Sequence, residues 1–153
     1  MELRDWLLYI HIVAGMIWLG GAIFFQLLGL WAARHPDPAR SSDGARTLVW
    51  VGPRVVVPAL AITLLAGIAL VLESSVWDFS MTWILIALVV VVASLASFFV
   101  YYFPASRRVI AIFDDQGPGP PLFSLWGRIV LISRINVLLL IVVLGVMIFK
   151  PGA

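Results

Sequence analysis

Four stretches of this chain run apolar with almost no charged side chain: Asp5 to Arg34, Arg54 to Glu73, Asp78 to Arg107, and Arg128 to Lys150, where Arg134 is the single interruption. A helix rises about 1.5 Å per residue and a hydrocarbon core of about 30 Å takes ~20 residues, so each stretch can cross a bilayer. Period-two alternation is absent, and the runs are too long for the strands of a membrane barrel. The pattern predicts an all-α fold, an integral membrane four-helix bundle with spans at about 6–32, 53–73, 79–103 and 124–149 in a single membrane domain, 1–153. The first span follows Glu2, Arg4 and Asp5 rather than a basic stretch. Its apolar run is longer than the ~15 residues of a signal-peptide core, so it reads as a retained helix.

Composition agrees. The 153 residues are 63% hydrophobic and 12% charged, with a mean hydropathy of +1.09, whereas a soluble domain runs near 45–50% apolar and about 25% charged. So small a body cannot hide the excess in its interior, which excludes a soluble monomer. The absence of cysteine removes disulfides, thiolate metal sites, iron–sulfur clusters and cysteine nucleophiles. A net charge of +2 is too small to imply a nucleic-acid partner.

How the charge is distributed says more than its sum. The segment after the first span holds Arg34, Arg40, Arg46 and Arg54, and the segment after the third holds Arg107, Arg108, Arg128 and Arg134. Of the ten Lys and Arg, only Arg4 and Lys150 are left for the other side, and the turn 74–78 has none. The positive-inside rule therefore places both termini and that turn outside, in a multi-pass membrane protein. Trp6, Trp77 and Trp83 fall at the outer boundary and Trp31, Trp50 and Trp126 at the inner one, as an aromatic belt requires. The segments Arg34–Asp43 and 117–121 (Gly-Pro-Gly-Pro-Pro) read as solvated linkers, with Asp114, Asp115 and His35 in loops.

Few polar groups lie in the spans. Arg54 and Arg134 are close enough to the inner surface to snorkel, and Asn136 reads as a clasp to a neighbouring helix. Pro58 should kink the second span, with Thr63 and Gly67 on the turns that follow. His11 is the one imidazole inside a span, and helical spacing sets it on a face with Gly15, Trp18, Ala22 and Phe25. The small residues admit either a close helix neighbour or a flat macrocycle against the backbone. Met81 and Met147 fall near the membrane depth of His11 and Met16 lies deeper. Imidazole with thioether is a ligand set for haem iron or copper(I), while methionine also fills irregular cores.

The run from His11 to Gly21, with Trp18 seven residues after His11 and Gly20-Gly21 beyond it, resembles the first-helix signature of a group of small bacterial membrane proteins. The group includes CopD-type copper-resistance proteins, HemJ-type protoporphyrinogen oxidases and a large family of predicted integral membrane proteins. Pro58 and the ending from Met147 to Pro151 look closest to that last family. The HemJ-type resemblance implies haem b on the first-helix histidine. Its paired third-helix lysine has no counterpart after Trp83, so only His11 carries over. CopD-type proteins are usually longer and carry a further histidine that this chain lacks.

Three functions stay open. One is a haem b protein with a redox or haem-handling role, His11 as axial ligand, Gly15 and Trp18 against the ring, and Arg4 and Lys150 as partners of the propionates. The second is copper handling by His11 with Met81, Met147 or Met16. The third is a non-catalytic subunit that joins other membrane subunits or a homodimer in the lipid bilayer, with His11 and Trp18 serving helix packing.

Overall fold

The computed structural model describes residues 2–34, 37 and 39–151; His35 lies outside them. Every regular element among them is helical, in four helices: α1 (Leu3–Arg34), α2 (Ala39–Leu72), α3 (Thr82–Gln116) and α4 (Pro120–Phe149). Each is long and apolar enough to cross a membrane. The spans match the expected ones at their outer ends and depart from them at the inner end. At 34 and 35 residues, α2 and α3 run to roughly 50 Å, well beyond a core of about 30 Å.

That excess corrects two expectations. Residues 39–43 are the first turn of α2 rather than part of a linker, and Asp114 and Asp115 close α3 rather than sitting in a loop. Ser41, Ser42, Gly44 and Ala45 of α2 are buried, as are Ala105, Ser106 and Val109 of α3. Together with Leu122 and Trp126 of α4, several of them form the largest apolar cluster among the described residues. Small side chains let the backbones approach closely, and from composition alone the same Ser, Gly and Ala look like a solvated connector. On the rim, Arg46 Nη2 donates to both carboxylate oxygens of Asp114 at 2.6 and 2.8 Å. Both side chains are about half exposed, so the pair contributes less than about 1 kcal/mol. Trp126, expected as an interface anchor, is instead 4% exposed inside this cluster. Trp6, Trp31 and Trp50 do face outward.

The kink expected at Pro58 takes the form of a π-turn. Over Gly52–Val56 the ladder slips by one residue and the Val57 amide reaches the Gly52 carbonyl. In α3 the same slip over Phe98–Tyr102 lets the Phe103 amide reach the Phe98 carbonyl, just before Pro104, and the helix runs on to Gln116. An extra residue in the turn makes room for a ring that would otherwise strike the carbonyl four residues back. The two π-turns face each other, since a Cβ on Gly52 would lie 2.7 Å from the Phe98 ring. Gly52→Ala is expected to lower the thermal midpoint in detergent by an amount equivalent to about 1–3 kcal/mol, because Phe98 is itself buried. Gly127→Ala, whose Cβ meets nothing, should cost nothing. Equal midpoints for the two variants would refute close packing at the π-turns.

Higher in the bundle, Ser94 Oγ donates to Asn136 Oδ1 at 2.8 Å, the expected clasp, here joining α3 to α4. Trp18 packs between helices with Ala59, Leu60, Val91 and Leu140. Arg54 donates to the Trp50 carbonyl at 2.9 Å and lies over the Trp50 ring, its head drawn toward the inner surface.

Both ends of the described chain meet the α2–α3 turn. The Arg4 guanidinium lies 5.1 Å from the Trp77 ring centroid, and the Lys150 ammonium lies 4.5 Å from Trp77 and 5.7 Å from Trp83. Four crossings place these groups together at one end, and the basic asymmetry makes it the outer one. Ser75 and Gln116 are exposed at opposite ends, whereas Ser42, which reads from sequence as solvated, is 1% exposed. In a chain without native cysteine, Ser75→Cys is expected to react with an impermeant maleimide added to intact cells and Gln116→Cys only after lysis. The reverse pattern would invert the topology.

A histidine-lined cavity as the candidate functional site

In the outer half of the bundle the helices part around a cavity of about 540 Å³, within the ~300–1,000 Å³ usual for small-molecule sites. All four helices and the α2–α3 turn contribute to its wall, which is almost wholly hydrocarbon and indole. The polar exceptions are His11, Thr63 and Lys150.

His11 is held in a defined orientation. Its Nδ1 lies 2.8 Å from the backbone carbonyl oxygen of Thr63. A carbonyl only accepts, so Nδ1 carries the proton, and in the neutral ring Nε2 keeps its lone pair. The Thr63 hydroxyl is turned away and donates to the Ala59 carbonyl at 2.8 Å. Two glycines permit the approach. A Cβ on Gly67 would lie 3.0 Å from His11 Cε1 and 3.2 Å from Nδ1, so a side chain there would crowd the imidazole. A Cβ on Gly15 would touch Thr63 at 3.8 Å, an ordinary contact. A ring nitrogen that donates to a backbone carbonyl while the other stays bare is the usual condition of a histidine that binds a metal.

Most residues singled out from sequence come together here. His11, Gly15, Trp18, Met147 and Lys150 all line the cavity. Arg4 does not line it but stands at its mouth over Trp77, which does. Met81 falls outside the lining and packs beside Val71, Trp83 and Ile84 at the start of α3. Met16 lines the cavity from α1 with 68% of its surface turned outward, so Met147 is the better-placed thioether. Among the described residues, no three His, Cys, Asp or Glu side chains gather as a metal site.

Sequence reasoning missed the partners. The Thr63 carbonyl is backbone and leaves no trace in residue type, and Trp83 reads as an interface anchor although it is buried in the cavity wall. The Gly67 position was visible in the chain, four residues after Thr63, without its reason. On the turn above, the Ser80 amide donates to Asp78 at 2.7 Å and holds that carboxyl below the usual carboxylate range.

The chain belongs to the family described as predicted integral membrane protein (DUF2269), which it matches over residues 5–151. No curated protein and no solved structure matches it. The family match agrees with the third member of the group that the first-helix motif resembles. Kinship to the CopD-type and HemJ-type proteins rests on the motif alone.

Proposed function

We propose that this member of the family is a haem b-binding protein of the bacterial plasma membrane, with a redox or haem-handling role and His11 as axial ligand. The observation that carries the proposal is the His11 Nδ1 bond to the Thr63 carbonyl, which leaves Nε2 as a bare donor nitrogen on a largely apolar cavity. The residues present suit the group. The volume is adequate, the walls are hydrocarbon, and a thioether from Met147 shares the cavity. Lys150 and Arg4 stand near the mouth, where carboxylates of an amphiphilic ring can be paired.

When bound, haem supplies one-electron chemistry or small-ligand binding at its iron. The protein's own part is narrower. Thr63 orients the imidazole and makes Nε2 a stronger donor. Gly67 leaves room for that ring, and the apolar wall keeps bulk water out. The wall also favours retention of a hydrophobic body.

An absorption spectrum of the full chain, produced with haem supplied and purified in mild detergent, tests the proposal. A Soret band at close to one haem per chain is the expected result. Copper by metal analysis without a Soret band would favour the imidazole–thioether alternative on His11 and Met147. A colourless, metal-free protein would overturn both and leave His11 as a packing residue of a membrane subunit.

A further inference from the structure

The wall of the cavity is not equally closed on all sides. Every lining residue from α2 and α3 is buried or half-buried. The helix residues that both line the cavity and stand exposed come from α1 and α4 alone. They include Ile12 at 50%, Met16 at 68%, Leu144 at 48% and Ile148 at 67%. These residues lie within the spans, so their exposed surface faces acyl chains rather than water. The cavity therefore opens sideways, between α1 and α4, into the outer half of the bilayer. At its outer edge Lys150 lies over two indoles and Arg4 over one of them, and neither makes an ion pair among the described residues.

We infer that the cavity is loaded laterally from the outer leaflet by an anionic amphiphile, its apolar body entering between α1 and α4 and its head group stopping at Lys150 and Arg4. This deepens the reading of the cavity as a ligand site and does not depend on iron. Two features argue against ligands that lack either the charge or the apolar body. A water-soluble anion would gain nothing from a wall of hydrocarbon, and a cationic amphiphile would meet two like charges at the mouth. A long-chain carboxylate is the simplest molecule of the required kind. Such a molecule is already dissolved in the bilayer, so it reaches the slot without crossing the headgroup layer.

The test uses the full chain in phosphatidylcholine vesicles, with 9,10-dibromostearic acid as a contact quencher of tryptophan. Trp18, Trp77 and Trp83 line the cavity, and the methyl ester of the same acid controls for quenching of the tryptophans that face lipid. The acid is expected to quench at roughly tenfold lower membrane concentration than the ester, since a charge-assisted hydrogen bond to Lys150 is open to the carboxylate alone. Lys150→Gln should remove most of that preference. Met16→Phe with Leu144→Phe should slow the onset of quenching several-fold while the end point stays near that of the unaltered chain.

Equal quenching by acid and ester in the unaltered chain, which needs no variant to fold, would overturn the inference. Competition by millimolar butyrate, or an onset unchanged in the double variant, would overturn lateral loading. Parallel runs on His11→Ala separate this result from the haem assignment. Acid preference there, in a chain with no iron ligand, supports lateral loading even if no Soret band is ever found. A Soret band on haem addition to a chain whose haem-free form shows no acid preference would do the converse.

Discussion

His11→Ala is expected to remove stoichiometric haem and leave the four-helix fold nearly unchanged. Among the described residues the imidazole is the one histidine side chain on the cavity, and no other histidine lies within a span. Its contribution to packing is small, because His11 is only half-buried and makes a single hydrogen bond, to the Thr63 carbonyl. That bond is worth about 1 kcal/mol to stability, little beside four apolar spans. The measurement is Soret absorbance per mole of protein at matched membrane yield, with helicity by circular dichroism. Full haem content in His11→Ala would refute the ligand assignment. Met147 is the side chain of the cavity that could supply a second ligand beside His11. A methionine ligand raises the reduction potential, whereas an open position admits carbon monoxide.

Gly67→Val should have nearly as large an effect without touching the imidazole. A Cβ at that position would already stand 3.0 Å from His11 Cε1, and valine adds two methyl groups. The ring must leave the Thr63 carbonyl to escape them, and Nε2 loses its fixed direction. Loss of such an outer-shell partner typically costs 10–100-fold in metal affinity, so haem affinity is expected to fall by about that factor. Gly20→Val is the matched control, since its Cβ would meet nothing within 4 Å. If the two variants titrate with haem alike, the close packing of Gly67 against His11 has no bearing on the site. Retained affinity in Gly67→Val together with lost affinity in His11→Ala would mean that the imidazole binds without help from α2.

These expectations draw on two kinds of information. The spans, the basic asymmetry and the tryptophans Trp6, Trp31 and Trp50 were legible in the chain because lipid imposes them residue by residue. A charge in hydrocarbon is costly wherever its partners are, and a basic residue favours the inner side whatever the fold. His11 stood out on the same ground, as did the face it shares with Gly15 and Trp18, because helical spacing is local. Asn136 was legible as a polar group needing a partner, although nothing local could name Ser94.

The inner ends of α2 and α3 went unseen because water, unlike lipid, leaves no gap in charge. Ser42, Gly44 and Ser106 became core only when two helices met there. The π-turns before Pro58 and Pro104 likewise depend on a neighbour, since Gly52 and Phe98 must fit against each other. Which methionine reached the cavity was a question of packing too, and it admitted Met147 and left out Met81. By itself, the sequence determined that the chain crosses a membrane four times, in one orientation, with a single imidazole in a span. Only the tertiary structure decided how that imidazole is held, because its partner is a backbone carbonyl on another helix. The bond from Nδ1 to Thr63 depends on where two helices lie relative to each other, and that placement is the sum of many contacts that no single residue encodes.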